Sequence, residues 1–451
     1  MNVLFVSLGC DKNLVDSEVM LGILAKRGYR FTNDETEADV VVVNTCCFIN
    51  DAKEESIQSI LEMAELKKQG RIKALIVTGC LAQRYRDEIQ SEIEEVDAIL
   101  GTTAIEKIAD AIDEALEEKG RNYFEDINAP HAAHRDGRIV TTGGHFAYLK
   151  IAEGCDKHCT YCIIPKVRGG YRSVPMEELL EEARCLAKQG VRELILVAQE
   201  TTLYGVDLYG KKSLPELLRG LCGIEGLLWI RILYCYPEEI TDELIETIRS
   251  EEKVCNYLDI PIQHASDNVL RRMGRRTNEA QLREMIGKLR ERIPDICLRT
   301  TLITGFPGET QEDYEELYRF VNEMEFDRLG VFTYSAEEGT PAAEMPDQID
   351  ETVKETRRGE LMELQQAIAF EKAEVFAQRR PVLDAFIEGK LPEEGVYIAR
   401  TYMDAPNVDG LLFLNADNVR GELMSGTFVK AVVTGSNEYD LIGEICDEFT
   451  E

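Results

Sequence analysis

The sequence predicts an α/β protein in three parts. These are an N-terminal parallel α/β domain over about 1–125, a partial parallel (β/α)6 barrel over about 141–375, and a small five-stranded OB-like β-barrel over about 379–451. Three observations carry this. Short apolar strands alternate with amphipathic helices through the first part. Six more such units follow in the second. The third part holds five short strands separated by glycine-rich turns.

In the first part, strands are expected at Val3–Ser7, Val40–Val43 and Ala74–Val77, with helices from about Ser17 to Arg27 and over Glu54–Lys68. Each strand runs into a turn of one kind: Leu8-Gly9-Cys10, Asn44-Thr45-Cys46 and Thr78-Gly79-Cys80. Ligands of open α/β sheets sit beyond the carboxyl ends of the strands. Three cysteines at three such ends therefore converge in space and make a candidate metal site. The alternative is three unrelated buried cysteines, since Cys is among the most buried residue types. Cys47 competes with Cys46, which is preferred because it matches the positions of Cys10 and Cys80. A stretch with Pro130, His131, His134, Gly137, Gly143 and Gly144 then reads as an interdomain linker, with the two histidines in a solvated loop.

In the second part, strands are expected at Ala147–Ala152, Glu193–Ala198, Trp229–Leu233, Tyr257–Ile260, Leu298–Ile303 and Leu329–Tyr334, with helices such as Met176–Gln189 and Asn278–Glu291 between them. The site of such a barrel lies at the C-terminal ends of its strands. Cys155, Cys159 and Cys162 follow the first strand there. Gln199-Glu200-Thr201-Thr202 follows the second, Gln263-His264 the fourth, and Thr304-Gly305-Phe306-Pro307-Gly308-Glu309 the fifth. A helical stretch over about Glu351–Gln378 carries Leu361, Leu364, Ile368 and Val375 at helical spacing, which reads as core packing. The five strands of the last part are expected at Val382–Ile387, Val396–Tyr402, Leu411–Leu414, Thr427–Thr434 and Tyr439–Ile445.

The cysteines at 155, 159 and 162 are spaced to hold three irons of a [4Fe–4S] cube and leave the fourth iron open. An open iron can chelate the amino and carboxylate groups of S-adenosylmethionine (AdoMet), which points to radical chemistry. A zinc site asks for four ligands, commonly as paired C-x2-C, and His158 lies awkwardly between two of the cysteines. A ferredoxin motif adds a fourth cysteine nearby, whereas the next one, Cys185, falls far along an expected helix.

Charge narrows the partners. The chain of 451 residues carries 84 acidic and 51 basic side chains, a net of −33. Such a field repels phosphate backbones, so direct tRNA or DNA binding is not expected. It favours a basic protein surface. Residues 381–451 alone hold 14 Asp and Glu against 4 Lys and Arg, too acidic for an oligonucleotide groove. Thirteen cysteines and an N-terminus without a basic leader suggest a reducing cytoplasm. No apolar run reaches the ~18 residues of a membrane span.

Nearly the whole chain resembles the methylthiotransferases, radical AdoMet enzymes. The runs that carry the resemblance are Ser7-Leu8-Gly9-Cys10-Asp11-Lys12-Asn13, Asn44-Thr45-Cys46-Cys47-Phe48-Ile49, Gln199-Glu200-Thr201-Thr202-Leu203-Tyr204-Gly205 and Phe332-Thr333-Tyr334-Ser335-Ala336-Glu337-Glu338-Gly339-Thr340-Pro341-Ala342. They are more similar to the branch acting on a ribosomal protein than to the tRNA branch. The tRNA branch typically has Gln-Asn-Val-Asn at 199–202 and Ser-Ile-Arg after its second N-terminal cysteine. Glu200 stands where many relatives have Asp, and it keeps the carboxylate.

The resemblance implies a radical AdoMet core followed by a C-terminal TRAM domain. It implies an auxiliary [4Fe–4S] cluster on Cys10, Cys46 and Cys80 and a second, AdoMet-binding [4Fe–4S] cluster on Cys155, Cys159 and Cys162. The implied substrate is an aspartate of the basic twelfth small-subunit ribosomal protein, free or on the ribosome, methylthiolated at its β-carbon. That carbon is unactivated, so a 5′-deoxyadenosyl radical from AdoMet would remove its hydrogen. The auxiliary cluster would supply sulfur, a second AdoMet the methyl group, and an electron donor such as flavodoxin or ferredoxin the reducing equivalent. On the rim, Gln199 and Glu200 are expected to meet the methionine amino group, and the Thr304–Gly305–Phe306 turn to approach the adenosine. In the basic run Arg271-Arg272-Met273-Gly274-Arg275-Arg276, a solvated helix end paired to nearby Glu is favoured over a substrate-carboxylate contact. Two other functions stay open at this point: methylthiolation of a tRNA adenosine, and a non-catalytic iron–sulfur scaffold.

Overall fold

The structure, a computed structural model, describes residues 1–129, 137–391, 395–415 and 421–448. Pro130, His131 and His134 lie outside the described residues.

The N-terminal part is a parallel sheet of β1 (Asn2–Ser7), β2 (Arg30–Thr32), β3 (Val40–Thr45), β4 (Ala74–Gly79) and β5 (Ala98–Leu100), in the order β2-β1-β3-β4-β5. Four consecutive valines in β3 are fully buried because helices cover both faces of the sheet. The edge strands β2 and β5 have three residues each, too few for a periodic signal. The helix expected from Ser17 begins at Asp11, whose carboxylate suits the positive end of the helix. That expected near Glu54 begins at Asn50. Both helices therefore start just after a cysteine turn, which brings the helix N-termini to the thiols.

The central part holds an open six-stranded parallel sheet in the order β13-β12-β11-β10-β9-β6: β6 (Phe146–Lys150), β9 (Glu193–Val197), β10 (Trp229–Ile232), β11 (Val254–Asp259), β12 (Cys297–Thr304) and β13 (Arg328–Thr333). A two-residue antiparallel pair, β7 (Ala152–Glu153) with β8 (Arg172–Ser173), closes the base of the loop that carries Cys155, Cys159 and Cys162. The helices Glu279–Arg292 and Gln311–Met324 open on capping boxes, Asn278 with Gln281 and Thr310 with Asp313.

The helix Glu351–Gln378 runs from this sheet to the last part. Leu361 and Ile368 are buried and Leu364 is partly so, but Val375 is 41% exposed. The expected stripe thus fails at its end, where Ala373, Phe376 and Ala377 turn instead toward the C-terminal core. That core is a closed five-stranded barrel of β14 (Val382–Leu391), β15 (Val396–Thr401), β16 (Leu412–Asn415), β18 (Asp440–Glu448) and β17 (Phe428–Asn437), in that order. The barrel is seated on the back of the central sheet by Trp229, which meets Phe386 and Phe428 edge-on at 4.9 and 5.3 Å. Buried ions reinforce the contact. Glu193 of β9 accepts from Arg231 at 2.9 Å and from Arg400 at 2.5 Å. No helix among the described residues is long and apolar enough to cross a membrane.

Candidate active site

The first two N-terminal turns are tied together by Asn13. Its amide donates to the Leu8 carbonyl at 3.0 Å and the Thr45 carbonyl at 2.8 Å, while the Asn44 amide returns to the Asn13 carbonyl at 2.9 Å. This holds the chain just before Cys10 and Cys46 in register. Gly9, at φ +90°, lies so close to Cys46 that a β-carbon there would stand 2.8 Å from Cys46 Cβ and 3.0 Å from its sulfur. Cys80 is the first residue of the helix Cys80–Arg84. Cys10 is exposed and Cys46, Cys47 and Cys80 are buried. Burial pushes up the thiols of Cys46, Cys47 and Cys80, that of Cys47 to about 11. Cys80 feels the charges of Cys10, Cys46 and Cys47, and Cys46 lies within electrostatic reach of Cys10 and Cys47; Cys47 also faces Arg84.

The second thiol set lies beyond β6 and β7. Gly154, at φ +78°, lets the chain pass close against the Gly169–Gly170 backbone, and the Cys155 amide donates to the Gly169 carbonyl at 3.1 Å. The far side of the loop is pinned by the Thr160 amide on the Met273 carbonyl at 2.9 Å. His158 is exposed, with a left-handed backbone at φ +52°. Burial raises Cys155 to about 11 and Cys162 to about 12. Tyr236 Oη stands 3.7 Å from the Cys159 sulfur.

The basic run 271–276 only partly takes its expected role as a solvated helix end: Arg271 and Arg276 are exposed, while Arg272 and Arg275 turn inward. Arg275 is 7% exposed, donates to the Pro261 carbonyl at 2.7 Å, lies 4.3 Å over the Tyr236 ring, and reaches the Cys159 sulfur at 4.0 Å. Arg272 donates to the Pro307 carbonyl at 2.9 Å. Both are drawn inward because the helix Asp267–Arg272 ends directly above the cysteine loop.

Of the rim residues, Gln199 donates to Glu153 Oε1 at 2.7 Å. Glu200 is fully buried, accepts from the Thr202 amide at 2.9 Å, and has Lys157 Nζ 4.0 Å away. Burial raises its carboxyl to about 7. Gln199 Oε1, Glu200 Oε2 and Glu238 Oε2 are buried acceptors without a hydrogen-bond partner. Buried acceptors normally have one, so a ligand bringing an ammonium group fits there. The Thr304–Gly305–Phe306 turn is more committed. The Thr304 hydroxyl turns to the Phe332 and Lys354 carbonyls at 3.4 and 3.3 Å. The amides of Gly305 and Phe306 are taken by Glu309. The Phe306 ring is wholly buried, edge-on to Tyr161 at 6.4 Å and Tyr334 at 5.2 Å. His264 also points into the core, its Nδ1 accepting from the Ser266 amide at 3.0 Å.

Among the described residues, no three His, Cys, Asp or Glu side chains form the shell of a single metal ion. The fit to iron–sulfur clusters rests on donor chemistry, because all-thiol sets are what such clusters take. Sequence reasoning missed the buried ions between Cys80 and the base of the second cysteine loop. Arg168 donates to Cys80 Sγ at 3.3 Å, to Asp16 at 2.7 Å, to Glu153 at 3.2 Å and to Asn13 Oδ1. Lys150 bonds Glu153 at 2.8 Å and Asp16. The one signal was Lys150, a charge inside an apolar strand.

Residues 2–101 match the model of the uncharacterized protein family UPF0004, 149–321 that of the radical SAM superfamily and 381–446 that of the TRAM domain. Among solved structures, the fold is shared with the radical S-adenosylmethionine methyltransferase TsrM from Kitasatospora setae with cobalamin and a [4Fe-4S] cluster bound. The TM-score is 0.54 over 76% of each chain, at 14% identity. The chain is 64% identical to a ribosomal protein uS12 methylthiotransferase RimO from Lachnoclostridium phytofermentans, covering 98% of this chain and 99% of that one. It is 50% identical to one from Acetivibrio thermocellus, covering 98% of each. With two thiol sets at two strand-end rims and full-length identity of this order, the chain belongs to the RimO family of radical AdoMet methylthiotransferases.

Proposed function

We propose that this enzyme methylthiolates the β-carbon of an aspartate in the ribosomal protein uS12, acting in the cytoplasm with an electron donor of the flavodoxin or ferredoxin kind. The observation that carries the reading is the pair of three-cysteine sets, Cys10, Cys46 and Cys80 at the strand ends of the N-terminal sheet and Cys155, Cys159 and Cys162 beyond the first strand of the central sheet, with a buried ion network running from Cys80 to the rim residue Gln199. Bound there, two [4Fe–4S] clusters and AdoMet supply a radical that removes an unactivated hydrogen, together with the sulfur and methyl to be transferred.

The chain's own residues bind and position. Gln199 Oε1 and Glu200 Oε2 accept from the AdoMet ammonium group. Lys157, held by Glu238 at 3.2 Å and by Glu239, closes the rim beside Cys155. Thr304, Gly305 and Phe306 serve as a packed wall beneath the cysteine loop, with Phe306 against Tyr161 excluding water. The net charge of −33 suits a basic protein loop as the entering substrate.

The test is anaerobic reconstitution with iron and sulfide, reduction, and addition of AdoMet, with the uS12 loop peptide and unmodified tRNA in separate reactions. A gain of about 46 Da on the peptide aspartate, CH3S replacing H, is expected. The same gain on tRNA alone would overturn the substrate assignment. Absence of 5′-deoxyadenosine in both would overturn the chemistry.

A further inference from the structure

Arg168, with Arg231 and Arg400, is among the largest fully buried side chains of the described residues, 2% exposed. It stands at the end of the helix Ile164–Arg168, six residues after Cys162, and crosses into the N-terminal part. Its neighbourhood is electrically closed. Arg168 and Lys150 are answered by Asp16 and Glu153, all at most 4% exposed. One Arg168 group is not needed for that balance. Both carboxylates are met by the terminal Nη1 group, and the Nε–H donates instead to Cys80 Sγ at 3.3 Å. On the other side, Glu153 Oε2 accepts from Arg168 and its Oε1 from Gln199, whose own carbonyl oxygen has no partner at the AdoMet rim. A continuous hydrogen-bonded chain thus runs Cys80–Arg168–Glu153–Gln199, from the N-terminal cysteine set to the rim of the central sheet.

We propose that Arg168 is a positioning residue of the auxiliary site: its Nε–H bond to the Cys80 sulfur raises the reduction potential of the cluster bound there and fixes that corner relative to Gln199. The proposal rests on reading Cys10, Cys46 and Cys80 as the ligands of that cluster. The physical argument is short. One-electron reduction makes a cluster more negative, and a cationic donor fixed at a ligand sulfur stabilises the more negative state. Burial strengthens the effect, because no water competes for the sulfur. The plainer role for Arg168 is an interdomain ion pair, which would hold the two parts together and leave the cluster's electronics untouched.

The experiment uses the full chain carrying C155A, C159A and C162A, which leaves the auxiliary cluster alone. Two further changes are made separately in it. R168K keeps the charge but shortens the side chain and loses the Nε donor. D16N/R168Q removes one carboxylate with the cation, so no buried charge is left unpaired and folding is spared. Iron content, the EPR signal of the reduced cluster and its midpoint potential are read in each. The expected result is unchanged iron, about four per chain, with an altered EPR signal. The one-electron reduction should become about tenfold less favourable in D16N/R168Q, a fall of about 59 mV, and less so in R168K. Unchanged potential and EPR signal in both would overturn the proposal and leave Arg168 an interface ion pair. A parent protein that binds no iron would overturn the ligand assignment itself, and the proposal with it.

Discussion

His264 shows how a single side chain can be displaced from the role its position suggests. It follows β11 on the rim side, yet it is wholly buried, with Nδ1 accepting from the Ser266 amide and Nε2 3.9 Å from Glu309. Burial and Arg357 lower its pKa to about 3 against the pull of Asp313. At His264 the folded chain therefore binds fewer protons than the unfolded chain between about pH 6.5 and 3, so this group's contribution to stability falls as pH drops through that window, while the raised carboxyl of Glu200 works in the opposite sense. We expect the urea midpoint of the wild type to fall below pH 6.5, with this residue contributing at most about 1.4 kcal/mol per pH unit. H264Q should show a shallower dependence over the same range. Parallel curves would show that His264 does not set the slope. Arg275 makes the same point in the opposite sense. A residue read as solvated sits buried beside Cys159, because the charge of an arginine says nothing about which way its helix end faces.

At the scale of the element, the strand–turn–helix unit does the positioning. Leu8-Gly9-Cys10 turns with Gly9 at φ +90°, and the missing side chain is what allows the turn to lie against Cys46. A methyl group there would meet Cys46 Cβ at 2.8 Å, tighter than real contacts, on a backbone that L-residues avoid. We expect G9A to lose the auxiliary cluster selectively, so that iron falls from about eight to about four per chain while reductive AdoMet cleavage persists. Full iron occupancy in G9A would show that the turn can yield. The helices that start at Asp11 and Asn50 rather than several residues later follow from the same units. Polar starts such as Asp11-Lys12-Asn13 carry no apolar period, so only the folded backbone reveals them.

For the whole molecule, the contact of the C-terminal barrel with the central sheet decides how far the three parts move as one. Arg400 is 2% exposed and bonds Glu193 at 2.5 Å, Glu388 at 2.9 Å and the Asp404 carbonyl at 3.2 Å. Breaking one partner of a buried pair leaves an uncompensated charge, at a cost of about 3 kcal/mol or more. R400M should therefore lower the thermal midpoint and let limited proteolysis release the C-terminal barrel, leaving the first two parts intact. Unchanged proteolysis would mean that Trp229, Phe386 and Phe428 hold the interface without the ions. The N-terminal contact is ionic as well. Lys53 and Arg84 both reach Glu337 at 2.9 Å, beside the sheet's open rim.

The three-part α/β architecture, the six central strands and the five of the closing barrel were legible in the sequence, because all of them are local. Strand period, turn residues and the spacing Cys155, Cys159, Cys162 are read within a few residues of one another. The repeated turn motif extended that reading to Cys10, Cys46 and Cys80, since a parallel sheet places equivalent strand ends side by side. Tertiary structure alone decided which polar side chains are buried and against what. Arg168, Lys150, Asp16 and Glu153 come from three separate stretches of the chain, and all but Lys150 look like ordinary surface charges one by one. Their burial follows only when two domains close on them, because the cost of desolvating each ion is offset by partners that the sequence places as many as 152 residues away.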